Sequence, residues 1–99
     1  MRPGGVWYTS VPSGAGRLFR GRHYRQLSFG DGHVAVTSRR GAVLLETTLD
    51  ALELDRVRNG LLLQVLVRDR DSRTHIFEFR PRRHAAGRAF ARALAPAPG

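Results

Sequence analysis

All seventeen basic side chains of this 99-residue chain are arginines, set against eight carboxylates, and many fall in clusters that could hold an anion. Arg17, Arg20, Arg22 and Arg25 follow a Gly/Pro/Ser-rich loop at 12–16, and Arg39 and Arg40 occupy a turn. Arg80, Arg82, Arg83, Arg88 and Arg92 form the densest group, near the C-terminus. A guanidinium offers a planar fork of N–H donors matched to phosphate and carboxylate, so such clusters suit a lipid headgroup, a nucleic-acid backbone or an acidic protein. Those at 17–25 could form a rim that attracts an anionic surface at ~1 kcal/mol per charge. The same residues also suit plain solvated surface. There is no lysine, and Ala, Gly, Pro, Val and Leu are abundant, which is the mark of GC-rich coding. The formal charge of +9 therefore names no partner by itself.

Catalytic and metal chemistry find less to work with. His23, His33, His75 and His84 lack ligand spacing such as i,i+4 on one helix, and without cysteine there is neither a thiolate site nor a disulfide framework. Gly14-Ala15-Gly16 matches part of a dinucleotide fingerprint, but Phe19 stands where the third glycine belongs. No Gly-x-Ser-x-Gly elbow occurs. The carboxylates sit beside arginines (Asp55 by Arg56; Asp69 and Asp71 around Arg70) or in turns, and none pair for acid–base work. We expect no enzyme, no metal and no cofactor. His75, at the inward phase of a strand, is expected to be a packed, hydrogen-bonded histidine.

The elements that must position these side chains read as strands. Over 61–80, Leu61, Leu63, Val65 and Val67 alternate with Leu62, Gln64, Leu66 and Arg68; His75, Phe77 and Phe79 alternate with Thr74, Ile76, Glu78 and Arg80. Successive strand side chains point to opposite faces, so each run carries one apolar face. A three-residue loop at Arg70-Asp71-Ser72 sets Val65 opposite Phe77 and Leu63 opposite Phe79, whereas a two-residue loop brings Glu78 to the apolar side. Asp31-Gly32 predicts a tight hairpin pairing Phe29 with Val34 and Leu27 with Val36. Arg39-Arg40-Gly41 predicts a three-residue loop into a strand that keeps Leu44 inside and leaves Val43 and Leu45 out. After a bend at 49–52, Asn59-Gly60 predicts a two-residue turn with Leu54 opposite Val65 and Leu52 opposite Val67. That register sets Arg56 opposite Leu63, which marks a rim or a bulge. Val6-Trp7-Tyr8 predicts an edge strand. Pro81 stops the last strand, having no N–H for a ladder. Ala86, Phe90 and Leu94 then recur at helical spacing over 83–95, with His84, Arg88 and Arg92 on the other side.

The stretch 47–94 carries a resemblance. It runs TTLDALELDRVRNGLLLQVLVRDRDSRTHIFEF, then after a break RRHAAGRAFARAL. Leu49 and Leu52 are similar to the Leu-x-x-Leu bend that enters the fifth strand of small bacterial pleckstrin-homology-like (PH-like) domains, and Phe90 and Leu94 to the helical plug. The resemblance implies a mainly β fold with one C-terminal α-helix: a PH-like antiparallel barrel or sandwich of six to seven strands capped by an amphipathic helix. It also suggests inositol-phosphate binding at the first hairpin, but Asp31 at the Asp31-Gly32 tip would repel phosphate.

The domain is expected to span 17–95, with 1–16 an arm or edge strand and 96–99 a flexible tail. Apolar runs stay below the ~18 residues a membrane helix requires, and no signal peptide opens the chain, so a soluble cytoplasmic protein is expected. Leu66 opposite Ile76, with Leu62 one step along, forms an outward apolar strip that calls for cover: Trp7 and Tyr8 folding back, a second subunit or a client peptide. The leading expectation is a domain that binds a protein segment, at a free sheet edge or in the groove beside the C-terminal helix, using Leu62, Leu66, Ile76, Arg88 and Arg92. One alternative is an anionic membrane or phosphoinositide met by Arg17, Arg20, Arg22, Arg25, Arg39 and Arg40. Another is RNA or single-stranded DNA, with Tyr24 or Phe29 stacking on bases.

Overall fold

A computed structural model of the chain describes residues 4–12 and 23–96. Seven antiparallel strands curl into a half-barrel that one C-terminal helix closes. They are β1 (Gly4–Pro12), β2 (His23–Gly30), β3 (His33–Thr37), β4 (Val43–Thr48), β5 (Glu53–Arg58), β6 (Leu63–Arg68) and β7 (Arg73–Phe79). The helix α1 (His84–Ala93) follows a 3-10 turn at Pro81–Arg83, and a two-residue strand β8 (Ala95–Pro96) comes last. The sheet order is β4-β3-β2-β1-β7-β6-β5-β8.

Three turns set the registers that their residue types demand. Asp31 and Gly32 both take positive φ, and Phe29 pairs with Val34 and Leu27 with Val36. Gly41 takes positive φ at the end of the 39–41 loop, closed by the Ser38 amide donating to the Ala42 carbonyl at 2.8 Å. Ser72 takes φ 59° at the end of the 70–72 loop, and Val65 meets Phe77 and Leu63 meets Phe79. A left-handed third residue lets a three-residue hairpin follow the twist of its strands.

Four expectations are corrected. β1 is no edge strand: it lies between β2 and β7, because Val6 and Tyr8 both have core positions to fill. In β4, Leu45 rather than Leu44 turns inward. Val36 pairs with Leu45 and Thr37 with Val43, so Leu44 is the extra residue of a bulge and stays exposed beside Val43. Asn59-Gly60 is no two-residue turn. Arg58 pairs with Gln64, and Leu54 meets Val67 rather than Val65. A further bulge, with Asp55 as its extra residue, turns Arg56 outward opposite Leu66 and brings Val57 in opposite Val65. The wider turn thus removes the arginine from the apolar face, and Leu61 is exposed in exchange. Finally, Pro96, expected in the flexible tail, is paired with the sheet. Leu94 is buried, and the chain leaving it pairs in parallel with Glu53 and Leu54 of β5.

Phe90 fills the barrel end. It is wholly buried, with ring centroids 4.9 Å from Phe77, 5.1 Å from Phe29 and 6.4 Å from Phe79. One turn earlier, Gly87 lets the helix settle onto the strands: a Cβ there would lie 2.7 Å from side-chain carbons of both Leu63 and Phe79. His84 ties the helix start to the β5–β6 loop through Nε2 and the Leu61 carbonyl, 3.0 Å apart.

Candidate functional site

Two concavities lie at different places on the half-barrel. The first is an apolar groove between α1 and the start of β1, about 330 Å³ in volume. Leu27, Phe29 and Phe79 supply its apolar surface, Ala86 and Ala89 the helix wall, and Gly4 and Gly5 the strand wall. The groove exists because both walls carry residues without bulk. Ala86 and Ala89 are three apart, so they share one side of the helix. Arg83 stands over Gly4 at the groove, where an added Cβ would lie 2.9 Å from its Nη1.

Just outside, Tyr24 lies across Gly5, its hydroxyl occupying the space of a side chain there. It meets Trp7 edge-on at 5.5 Å, and the Arg80 guanidinium sits 5.0 Å from the Tyr24 ring and 5.9 Å from Trp7. Tyr24 is thus engaged in a cation–π stack. Phe29, the other proposed base-stacking ring, packs on Phe90 inside.

The second concavity, about 570 Å³, opens between β4 and the β1–β7 pair, lined by Tyr8, His23, Arg25, Leu44, Arg73 and His75 among others. A chain of hydrogen bonds runs along it. The Tyr8 hydroxyl is 2.7 Å from His75 Nδ1, and His75 Nε2 is 2.7 Å from Asp69 Oδ2. The tautomer with its proton on Nε2 satisfies both, donating to Asp69 and accepting from Tyr8. Asp69 Oδ1 also accepts from the Asp71 and Arg73 amides at 2.8 and 3.0 Å. Arg73 Nε in turn donates to Ser10 Oγ at 2.9 Å.

A hydroxyl, imidazole and carboxylate in line are the parts of an activated nucleophile. Here the shift runs the other way. Burial pushes the Tyr8 hydroxyl up to about 12, against the lowering influence of Ser10 and Arg73, so its proton is held more tightly. Desolvation opposes the Asp69 carboxylate, but its hydrogen bonds from His75 and the two amides prevail and lower its pKa. The chain is a strut joining β1 to the β6–β7 loop, and His75 is the packed, bonded histidine expected of its position. Among the described residues no group of acidic, histidine or cysteine side chains is arranged to hold a metal.

The residues named from sequence do not make one surface. Ile76 is buried, Leu62 and Leu66 are half-buried on the outer sheet face, and β1 flanks that strip by pairing Thr9 with Ile76. Tyr8 points into the core instead of covering the strip. Arg88 and Arg92 are exposed on α1, which packs on the inner face. Of the rim arginines, Arg25 lines the larger cavity and Arg39 and Arg40 are exposed at the β3–β4 turn; Arg17, Arg20 and Arg22 lie outside the described residues. The glycine and alanine walls of the groove were not singled out. Their signal in sequence is only the adjacent Gly4-Gly5 and the three-residue spacing of Ala86 and Ala89.

No helix among the described residues is long and apolar enough to cross a membrane. Comparisons with protein-family models, curated proteins and solved structures gave no match to this chain.

Proposed function

We propose that this chain is a non-enzymatic interaction domain of PH-like fold that seats an apolar side chain of a protein segment in the groove beside α1. The strand order and the helix stopping one end of the half-barrel are compatible with that fold. The observation that carries the binding reading is the groove itself, apolar inside and kept open by the small residues Gly4, Ala86 and Ala89. The sheet edges suit strand addition less well, since β8 covers part of β5 and a bulge interrupts β4. The raised pKa of Tyr8 speaks against nucleophilic chemistry in the other cavity. A cysteine-free chain also suits a reducing compartment such as the cytoplasm.

Panning a displayed random-peptide library tests the groove. Ala86 is exposed, so Ala86→Trp fills the groove from the surface with little effect on folding. Selected peptides should share one large apolar residue and bind the variant at least about tenfold more weakly, the scale of losing one buried side chain. Peptides that bind both forms alike would place recognition elsewhere.

A second reading, anionic membrane binding, is favoured by one arrangement. Arg39 and Arg40 stand exposed beside the exposed Val43 and Leu44, next to the larger cavity with Arg25 and Arg73. Apolar residues that enter the interface beside basic ones that meet headgroups are the pattern of peripheral binding. Co-sedimentation with phosphatidylserine-containing vesicles, but not with phosphatidylcholine alone, should then occur at low salt and be lost in Arg39→Ala/Arg40→Ala. Equal sedimentation of that variant would remove this reading.

A further inference from the structure

The electrostatics around the groove narrow its occupant. From Arg80 to Leu94 the sequence holds five arginines and no acidic residue. The N-terminus of α1 has no side-chain cap and no acid in its first turn, and Arg82 and Arg83 precede it directly. Helix starts ordinarily draw negative charge, because their free N–H groups and macrodipole leave them positive. Here the chain adds positive charge instead. Arg83 lies at the groove, is exposed, and no carboxylate among the described residues pairs with it. Leu27, Phe29 and Phe79 offer an anchor site within reach of that guanidinium.

We propose that the protein segment seated in this groove carries a carboxylate next to its apolar anchor, and that Arg83 binds it. This rests on the groove reading above and goes further by fixing the partner's chemistry. The apolar side chain enters between Ala86, Ala89 and Leu27, and the acidic neighbour meets Arg83 at the mouth. A segment with the same anchor but a neutral or basic neighbour leaves the positive end of α1 uncompensated and binds more weakly.

A matched pair of fluorescent probes separates the two claims. N-phenyl-1-naphthylamine is an uncharged aromatic anchor, and 1-anilinonaphthalene-8-sulfonate is nearly the same anchor bearing an anion. Both should brighten with the wild-type protein and lose that signal in Ala86→Trp. The sulfonate should bind about tenfold more tightly than the amine at low salt, the scale of one hydrogen-bonded charge pair. Arg83→Gln should abolish that preference and leave amine binding unchanged, while Arg88→Gln/Arg92→Gln, away from the groove, should keep the preference. A preference that survives Arg83→Gln overturns the proposal while leaving the groove standing. Signal from both probes that survives Ala86→Trp overturns the groove reading itself. Peptides from the library selection give an independent check: Asp or Glu should be enriched within two positions of the apolar anchor, and a neutral or basic flank would overturn the carboxylate assignment.

Discussion

Replacing Phe90 with alanine should lower folding stability by about 3–5 kcal/mol, the range for deleting a wholly buried phenylalanine. The ring touches Phe29 of β2 and Phe77 and Phe79 of β7, so no neighbour can fill the hole without giving up contacts of its own. Domains of this size are stable by roughly 5–15 kcal/mol in all, so the variant should unfold in mild denaturant. Urea unfolding followed by Trp7 fluorescence checks this through the midpoint. Arg88→Ala, on the wet side of the same helix, should stay within about 0.5 kcal/mol of wild type. An unchanged midpoint for Phe90→Ala would mean that the helix does not stopper the half-barrel.

The second large effect is alkaline. An unfolded tyrosine loses its proton near pH 10.0, whereas Tyr8 in the folded protein holds its proton up to about 12. Stability is therefore full below pH 10 and declines as the pH rises towards 12, because only the unfolded state gains from ionisation in that window. The folding constant should fall by about tenfold for each pH unit there. Tyr8→Phe has a lower baseline, since His75 Nδ1 loses its donor, but its profile should lack this alkaline limb. The same strut has an acid counterpart. The Asp69 pKa is lowered on folding, so its contribution is present above the ordinary value of 3.8 and is lost as the pH falls through the folded value. Asp69→Asn should flatten that limb. Identical alkaline slopes for wild type and Tyr8→Phe would show that Tyr8 is not the group held back from ionising.

How far the sequence could be read depends on where register is decided. The 31–32 and 70–72 turns are short and chemically specific, so their residues fix which side chains face each other across the hairpins, whereas the 39–41 turn sets only Thr37 opposite Val43 before the bulge at Leu44 shifts the rest. Asn59-Gly60 carries an equally strong turn signal and misleads: Arg56 on the apolar face points to a rim or a bulge, but alternation alone does not show where a bulge falls. One extra residue at Asp55 changes the phase, and burying Val57 in place of Arg56 outweighs the tight turn. The central place of β1 was hidden for another reason: the glycines and proline at its ends look like an edge, and its partner β7 begins more than sixty residues later. The same distance hides the strut, whose Tyr8–His75 bond joins residues 67 apart. The groove left the faintest trace of all. It is made by small residues at Gly4, Ala86 and Ala89, and an absence of bulk has no periodicity to detect.

The interruption at Leu44 and the short parallel pairing of Ala95–Pro96 also bear on how this protein behaves when crowded. Extended chains stack side by side into fibrils by copying a straight run of unpaired amides and carbonyls. One border of this sheet puts its groups out of step at Leu44, and the other is partly filled by its own tail. Concentrated or held through long storage, the folded molecule offers little template for amyloid growth, in spite of two greasy side chains at its rim.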